Sequence, residues 1–416
     1  MGKINLNKIL EKIDIDKDIY KCVEQIELQL KKVFPYEVFL GGSLAKNTAI
    51  KEKVLDVDFF FVYPNEKEIK DTERYLRRIK YIVVEGKKIK FNFSVVHGSR
   101  DYFVFPFRYK DYILKLEIVP AVKIKNPKEA KNVIDLSIFH VKYVNKNLKE
   151  KQKKDVKLLK AFLKASNLYG AESYVKGFSG YAAELLILYY KNFVNLIKKA
   201  SEWKDFVYID IEKHYKNKKE AIEKINPSKL SKILLIDPIL KERNVLAALS
   251  EENYFKFIEL CKKFLRRPSE KFFFKEINID KLKKKAKNKR AKLIVINLYS
   301  KAKFDVAGAK CLKLYKEFLR KLDGYKTFFY DFNFDEDSNM ANIYVIFKKD
   351  KKIVRGPPTE KEENVKMFKQ KHKNTFVKKG RIFAIENPKP IKKILEEIEK
   401  NKDSYKVSKI FYKILN

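Results

Sequence analysis

The sequence predicts a multidomain α+β protein, and three observations carry that expectation. The chain has 416 residues, enough for two to four domains with ample core, and its 14% aromatic content supplies a packed interior. Short apolar runs of strand length and longer runs with helical spacing alternate through the first 120 residues. A helical middle then gives way to a second strand-helix-strand-strand unit near the C-terminus.

In chain order, residues 3–33 place Leu6, Ile9, Leu10 and Ile13, then Tyr20, Val23, Ile26 and Leu30, at helical intervals. One or two amphipathic helices covering the following sheet are expected. Val38-Phe39-Leu40 reads as a short strand that delivers Gly41-Gly42-Ser43. Residues 44–53 read as a short helix or loop, and Val54–Tyr63 as a buried strand closed by Pro64-Asn65. A helix near 66–78 and strands at 81–85 and 90–96 around Gly86 follow. Residues 112–120 form another strand, with Leu114, Leu116 and Ile118 on one face and Lys115, Glu117 and Val119 on the other.

The chemistry concentrates in two of these strands. Asp56 and Asp58 are two apart and therefore share a face of a strand that is otherwise apolar. Two carboxylates held so close repel unless a cation lies between them, and hard oxygen donors suit Mg2+ or Mn2+. Glycines at 41 and 42 let the backbone approach a bulky anion, and Ser43 adds a donor. A glycine-serine turn alone is ordinarily just a turn, and Asp-x-Asp alone ordinarily an edge strand. Their ordered combination ahead of Phe59-Phe60-Phe61-Val62 is more specific, and is the equipment for metal-assisted nucleotidyl transfer. It resembles the signature of the nucleotidyltransferase superfamily that includes DNA polymerase β. In that context Glu117, otherwise as readily a solvated strand residue, becomes the third carboxylate.

Charge points to the partner. Ninety-four Lys and Arg against 54 Asp and Glu give a net charge of +40, far more than solubility needs, so a polyanion, with nucleic acid first, is the natural ligand. Three widely spaced cysteines and four histidines argue against a disulfide framework or a zinc site. With no signal-peptide core and no long uncharged apolar stretch, an intracellular, cytoplasmic protein without membrane association is expected.

Further blocks follow in order: Asp135-Leu136-Ser137-Ile138-Phe139-His140; a basic helix over 151–164; Leu168-Tyr169-Gly170; Lys176-Gly177-Phe178-Ser179-Gly180-Tyr181 opening an apolar helix over 182–190; Asp237-Pro238 with Arg243-Asn244-Val245; Arg355-Gly356-Pro357-Pro358; and a hairpin over 375–383. Over nearly the whole chain they resemble the archaeal-type (class I) CCA-adding enzymes, tRNA nucleotidyltransferases. Taken alone, the residues admit plainer roles. Gly177 to Gly180 offer amides and a hydroxyl at a helix start, either an anion site or an ordinary cap. Tyr169 suits stacking or the core, Lys160 sits in a helix of mostly solvated lysines, and Arg243 precedes an apolar segment read as a helix. His140 would serve equally as a structural histidine.

The resemblance implies a nucleotidyltransferase head with a mixed β-sheet (1–140), a helical neck (141–255), and a small α/β body with an appended tail (256–416). It implies Asp56, Asp58 and Glu117 as catalytic metal ligands. Gly42, Ser43, Lys46, Ser137, His140, Lys160, Tyr169, Ser179 and Arg243 would bind the nucleotide. The implied substrates are CTP, ATP and tRNA, held at its acceptor end and elbow, with a homodimer through body or tail compatible. Three positions depart from the family pattern: Lys46 for an arginine, which loses the fork, Glu117 for an aspartate, and Leu136 for an arginine. A poly(A) polymerase or other terminal nucleotidyltransferase shares the head, and a catalytically dead RNA-binding relative is the alternative outside enzymes. Past Ser250, a helix is expected over 252–266 and a basic linker or RNA-facing surface over 281–292. Beyond these come a strand at 293–299, a helix at 308–322, strands at 325–332 and 341–347, and a last helix at 391–400.

Overall fold

The computed structural model describes residues 4–98, 100–275, 277–336 and 338–415. They form two compact units, one of residues up to 171 with 175–275, the other of 172–174 with the remainder.

In the first unit, helices α1 (Leu6–Ile13) and α2 (Lys17–Val33) lead into strand β1 (Glu37–Leu40), the one-turn helix α3 (Gly42–Ala45) and strand β2 (Val54–Tyr63). Only α2 covers the sheet, through Ile19, Val23, Ile26 and Leu30. The Ile9 and Ile13 face of α1 instead joins the helical core with Leu158 and Phe162, so of the one or two helices expected on the sheet only one lies there. The segment expected as one helix near 66–78 is a 3-10 turn (Glu66–Asp71) running into α4 (Thr72–Leu76). Strands β3 (Tyr81–Val84) and β4 (Lys87–Lys90) close as a separate hairpin over Glu85 and Gly86, both at positive φ, so the strand expected at 90–96 is broken. Its second half is β5 (Ser94–Val96), followed by β6 (Tyr102–Tyr109) and β7 (Tyr112–Val122).

The resulting sheet has the order β1-β2-β7-β6-β5 and is mixed, with β2 and β7 parallel and the other pairs antiparallel. Alternation sorts its two faces. Leu55, Val57, Phe59 and Phe61 of β2 and Leu114, Leu116 and Ile118 of β7 enter the core under α2, leaving Asp56, Asp58, Lys115 and Glu117 on the opposite face. Strand β6, absent from the sequence reading, contains Pro106. The proline is exposed and lies beyond the stretch of β6 that pairs with β5, an edge position where a missing amide is tolerated.

Helices α5 (Ser137–Asn147), α6 (Glu150–Ala165), α7 (Gly180–Tyr190) and α8 (Phe193–Ala200) come next. Strand β8 (Val207–Ile209), α9 (Lys218–Lys224), β9 (Ile233–Leu235) and α10 (Glu251–Arg266) complete the unit. Phe162, Phe178, Phe193 and Phe264 are fully buried at the centre of its helical core, with ring centroids 5.4 Å (Phe162–Phe264) and 5.6 Å (Phe162–Phe193) apart.

The second unit holds α11 (Ile279–Asn288), β10 (Lys292–Tyr299), α12 (Phe304–Lys321), β11 (Tyr325–Asp335) and β12 (Met340–Lys349). It continues through β13 (Lys352–Pro358), α13 (Glu362–Lys371), β14 (Thr375–Lys378), β15 (Arg381–Glu386), α14 (Ile391–Lys400) and β16 (Lys409–Leu415). One antiparallel sheet, β11-β12-β10-β16, carries α12 and α14 on one face. The segment expected as a basic linker is instead the helix α11, anchored to the other face by Leu282 and Ala286. A smaller sheet, β13-β15-β14, holds the Arg-Gly-Pro-Pro block. A methyl at Gly356 would meet Ile382 at 2.7 Å and the Phe368 ring at 2.9 Å, so glycine lets α13 close onto β13. No helix among the described residues is long and apolar enough to cross a membrane.

Truncating Phe162→Ala should destabilise the protein by about 3–5 kcal/mol, while Tyr330→Ala on the exposed surface should change it by less than about 0.5 kcal/mol, as read by urea unfolding.

Candidate active site

Register builds the acidic face. In the parallel β2–β7 pair, Asp56 lies opposite Lys115 and Asp58 opposite Glu117. The Lys115 ammonium sits 2.9 Å from Glu117 Oε1 and 3.7 Å from Asp56 Oδ1, a resident counter-charge for the acids. Burial, then the charges of Glu117 and Asp56, push the Asp58 carboxyl up to about 7 against the pull of Lys46 and Lys115. Oxygen donors on one face, one of them made reluctant to ionise by its neighbours, are a donor set that a divalent cation fits. Among the described residues, no three acidic, histidine or cysteine side chains are grouped so as to hold a metal ion, and Lys115 stands between Asp56 and Glu117.

The glycine turn is shaped by the same aspartate. The Gly41 amide donates to the Asp58 carbonyl at 2.7 Å. Gly42 has φ +61°, and a methyl there would fall 1.7 Å from Asp58 Oδ2, so this position excludes any side chain. Ser43 follows half-buried in α3, its carbonyl accepting from the Thr48 amide.

A second group joins the sheet to the helices. Glu184, fully buried on α7, accepts from Lys46 Nζ and Thr48 Oγ1, both at 2.7 Å. Lys160 Nζ lies 3.0 Å from the Thr48 carbonyl and 3.7 Å from Glu184. Two cations sharing one anion leave a net positive charge inside the protein. Burial pulls the Lys160 ammonium down to about 8 despite Glu184, while Lys46 and Lys160 hold the Glu184 carboxyl low against its own burial. A methyl at Gly180 would come within 2.8 Å of the Tyr169 hydroxyl and 3.7 Å of Lys160 Nζ, so Lys160, Tyr169 and the start of α7 converge.

A third group centres on Asp237. This buried carboxylate receives Arg243 Nη1 at 2.6 Å, His140 Nε2 at 3.1 Å, the Tyr181 hydroxyl at 3.1 Å and the Ile239 amide at 2.9 Å. Burial alone would raise it, but His140, Arg243 and the Ile239 amide hold it down at about 2. The His140 and Tyr181 rings lie with centroids 4.2 Å apart, tilted by 31°, and Lys46 Nζ lies 6.0 Å from the Tyr181 ring, tying this group to the second. Ser137 opens α5 one turn before His140. The start of that helix is pinned by buried Asp135, which accepts from Arg100 at 2.6 Å and from the Val122 amide at the end of β7.

Two family models match: the nucleotidyltransferase domain over residues 23–140 and the tRNA nucleotidyltransferase second domain over 154–274. The CCA-adding enzyme of Nanoarchaeum equitans is 35% identical over 407 residues, spanning 95% of this chain and 97% of the relative. The chain belongs to the CCA-adding enzyme family. That of Archaeoglobus fulgidus is 29% identical over 408 residues, 92% and 85% of the two chains. A solved cytoplasmic RNA terminal U-transferase is 14% identical, covering 66% of this chain and 98% of its own with a TM-score of 0.48.

Three sequence readings of this family site need correction. Residues 245–248 are turns, not an apolar helix: Asn244 bridges to Ile236, and its side-chain amide is taken up by backbone groups at 229, 233, 235 and 246. The amides of Gly177 and Phe178 are not exposed as an anion site there would need: they donate to the carbonyls of Gly170 and Leu168, while Ser179 Oγ caps the Ala182 amide, the ordinary cap that the sequence also admitted. Lys160 is not a solvated helix lysine but 2% exposed. Glu184, Asp237 and Lys115 were not singled out as site residues. Glu184 was readable as the lone charge in the apolar run Ala182 to Tyr190, and Asp237 as the acid ending an apolar one.

Lys160 also gives a pH signature. Its folded value lies below its ordinary 10.5, so between about 8 and 10.5 the unfolded chain binds more protons, and stability contributed by this group rises with pH. Wild type should therefore gain on Lys160→Met by up to about 3 kcal/mol as pH rises across that window, as measured by paired denaturant melts.

Proposed function

We propose that the protein extends the tRNA 3′ end by C, C and A from CTP and ATP, without a nucleic-acid template and with release of pyrophosphate. The observation that carries this reading is the pairing of Asp58 with Glu117 beside Asp56, directly behind the Gly41-Gly42 turn. Asp56, Asp58 and Glu117 would hold the divalent ions. Magnesium bound there supplies the positive charge that makes a terminal RNA hydroxyl a better nucleophile and offsets charge on the leaving pyrophosphate.

The remaining work falls to the protein's own groups. The side-chain-free face at Gly42 admits phosphate oxygens, with Ser43 as a donor. The positive Lys46–Glu184–Lys160 cluster attracts the triphosphate, and Tyr169 and Ser179 border it. His140, Ser137 and Arg243 meet the nucleoside, Arg243 with donors only. The basic surface of the body and tail takes the tRNA acceptor end and elbow through phosphates and helix shape rather than base sequence.

The direct test is a gel assay on tRNA lacking its last three nucleotides. CTP alone should give two additions, CTP with ATP a third, and Asp58→Ala and Glu117→Ala no extension while still shifting tRNA in a binding gel. Long ladders with ATP alone would make the protein a poly(A)-type polymerase instead.

A further inference from the structure

Asp237 is wholly buried, and the described hydrogen bonds fill both its oxygens: Tyr181 and the Ile239 amide on Oδ1, Arg243 and His140 on Oδ2. These partners come from α5, from α7 and from the loop after β9, so one carboxylate ties three separate segments of the unit. An ionised carboxylate only accepts hydrogen bonds. The His140 nitrogen facing it, Nε2, must therefore carry hydrogen, which in the neutral ring leaves Nδ1 as the acceptor. Arg243 is bonded through Nη1 alone among the described hydrogen bonds, and its side chain keeps 29% of its exposure. One edge of the guanidinium is thus anchored inside, while the group still reaches solvent.

We propose that Asp237 is a positioning residue that sets base selectivity: it fixes the Arg243 fork in one orientation and holds His140 in the Nε2–H tautomer. This rests on the functional reading above, in which Arg243 meets the nucleoside. An arginine with donors only discriminates between bases when its orientation is fixed. A loose fork meets the carbonyl edges of uracil and guanine as readily as the ring nitrogens of cytosine and adenine. Asparagine is nearly isosteric with Asp237, but replaces one acceptor oxygen with a donor, so it cannot accept from Arg243 and His140 on one atom while keeping Tyr181 and the Ile239 amide on the other.

The test measures single-turnover addition to tRNA lacking its last three nucleotides, comparing CTP with UTP and, on the CC-ended product, ATP with GTP. Asp237→Asn should lower both preferences by about tenfold or more, the scale of one bidentate contact, chiefly through a weaker KM for the correct nucleotide. On an Arg243→Ala background the same change should have a clearly smaller effect than in wild type, since only the route through His140 is left. Unaltered preferences in Asp237→Asn, or fully additive effects in the double variant, would overturn the proposal. A second arm needs no activity. The nitrogen-15 spectrum of histidine-labelled wild type at pH 8, with the His140 signals assigned by His140→Gln, should show the Nε2–H tautomer, and the Nδ1–H tautomer would overturn the proposal. Wild-type protein that extends no RNA would sink the functional reading alone, and the histidine spectrum would then decide the role of Asp237.

Discussion

Mutual repulsion of Asp56, Asp58 and Glu117 on one sheet face is the constraint around which the first unit is arranged. The parallel register of β2 and β7 forces Asp58 and Glu117 into adjacency, and the α2 core holds that register by burying every alternate residue of both strands. A one-residue slip of either strand would turn that strand's acids into the core, Asp56 and Asp58 on β2 or Glu117 on β7. The cost of keeping them together appears in the raised Asp58 carboxyl and in the lysine stationed between the other two. Gly42 belongs to the same arrangement, since its missing side chain is what lets Asp58 stand where it does.

Charge also joins the sheet to the helices. Lys46 and Thr48, just past the glycine turn, meet Glu184 on α7 and Lys160 on α6. Buried ion pairs contribute little net stability, but losing one partner strands the other, so such a cluster fixes geometry more than it adds free energy. The Asp237 group repeats the device one layer away, with His140 of α5 and Tyr181 of α7 on a single carboxylate. Together they tie the segment after the glycine turn to the start of α7.

Much of this was legible in the sequence because it depends on local periodicity. Strand β2 ends where the apolar run ends, and the face shared by Asp56 and Asp58 follows from a two-residue repeat. The strand-helix-strand-strand order of the second unit follows from the same patterns, whereas the mixed sheet came from the family resemblance, because periodicity does not set strand direction. What escaped depended on distant partners. Strand β6 was hidden by Pro106, which only an edge position tolerates. Helix α11 looked like a linker because just Leu282 and Ala286 mark its buried side. Lys160 looked solvated because its neighbours Thr48 and Glu184 are 112 residues before it and 24 after. The turns at 245–248 follow an asparagine whose side chain is bonded to the backbone on both sides, which composition does not reveal.

The central claim is that the acidic face is a divalent-ion site whose third member is Glu117. The most direct measurement is a Mn2+ titration of the full-length protein followed by electron paramagnetic resonance, with a non-hydrolysable CTP analogue present. The account predicts a bound Mn2+ in wild type whose affinity falls by about tenfold or more in both Asp58→Asn and Glu117→Gln. Unchanged Mn2+ affinity in Glu117→Gln would contradict it.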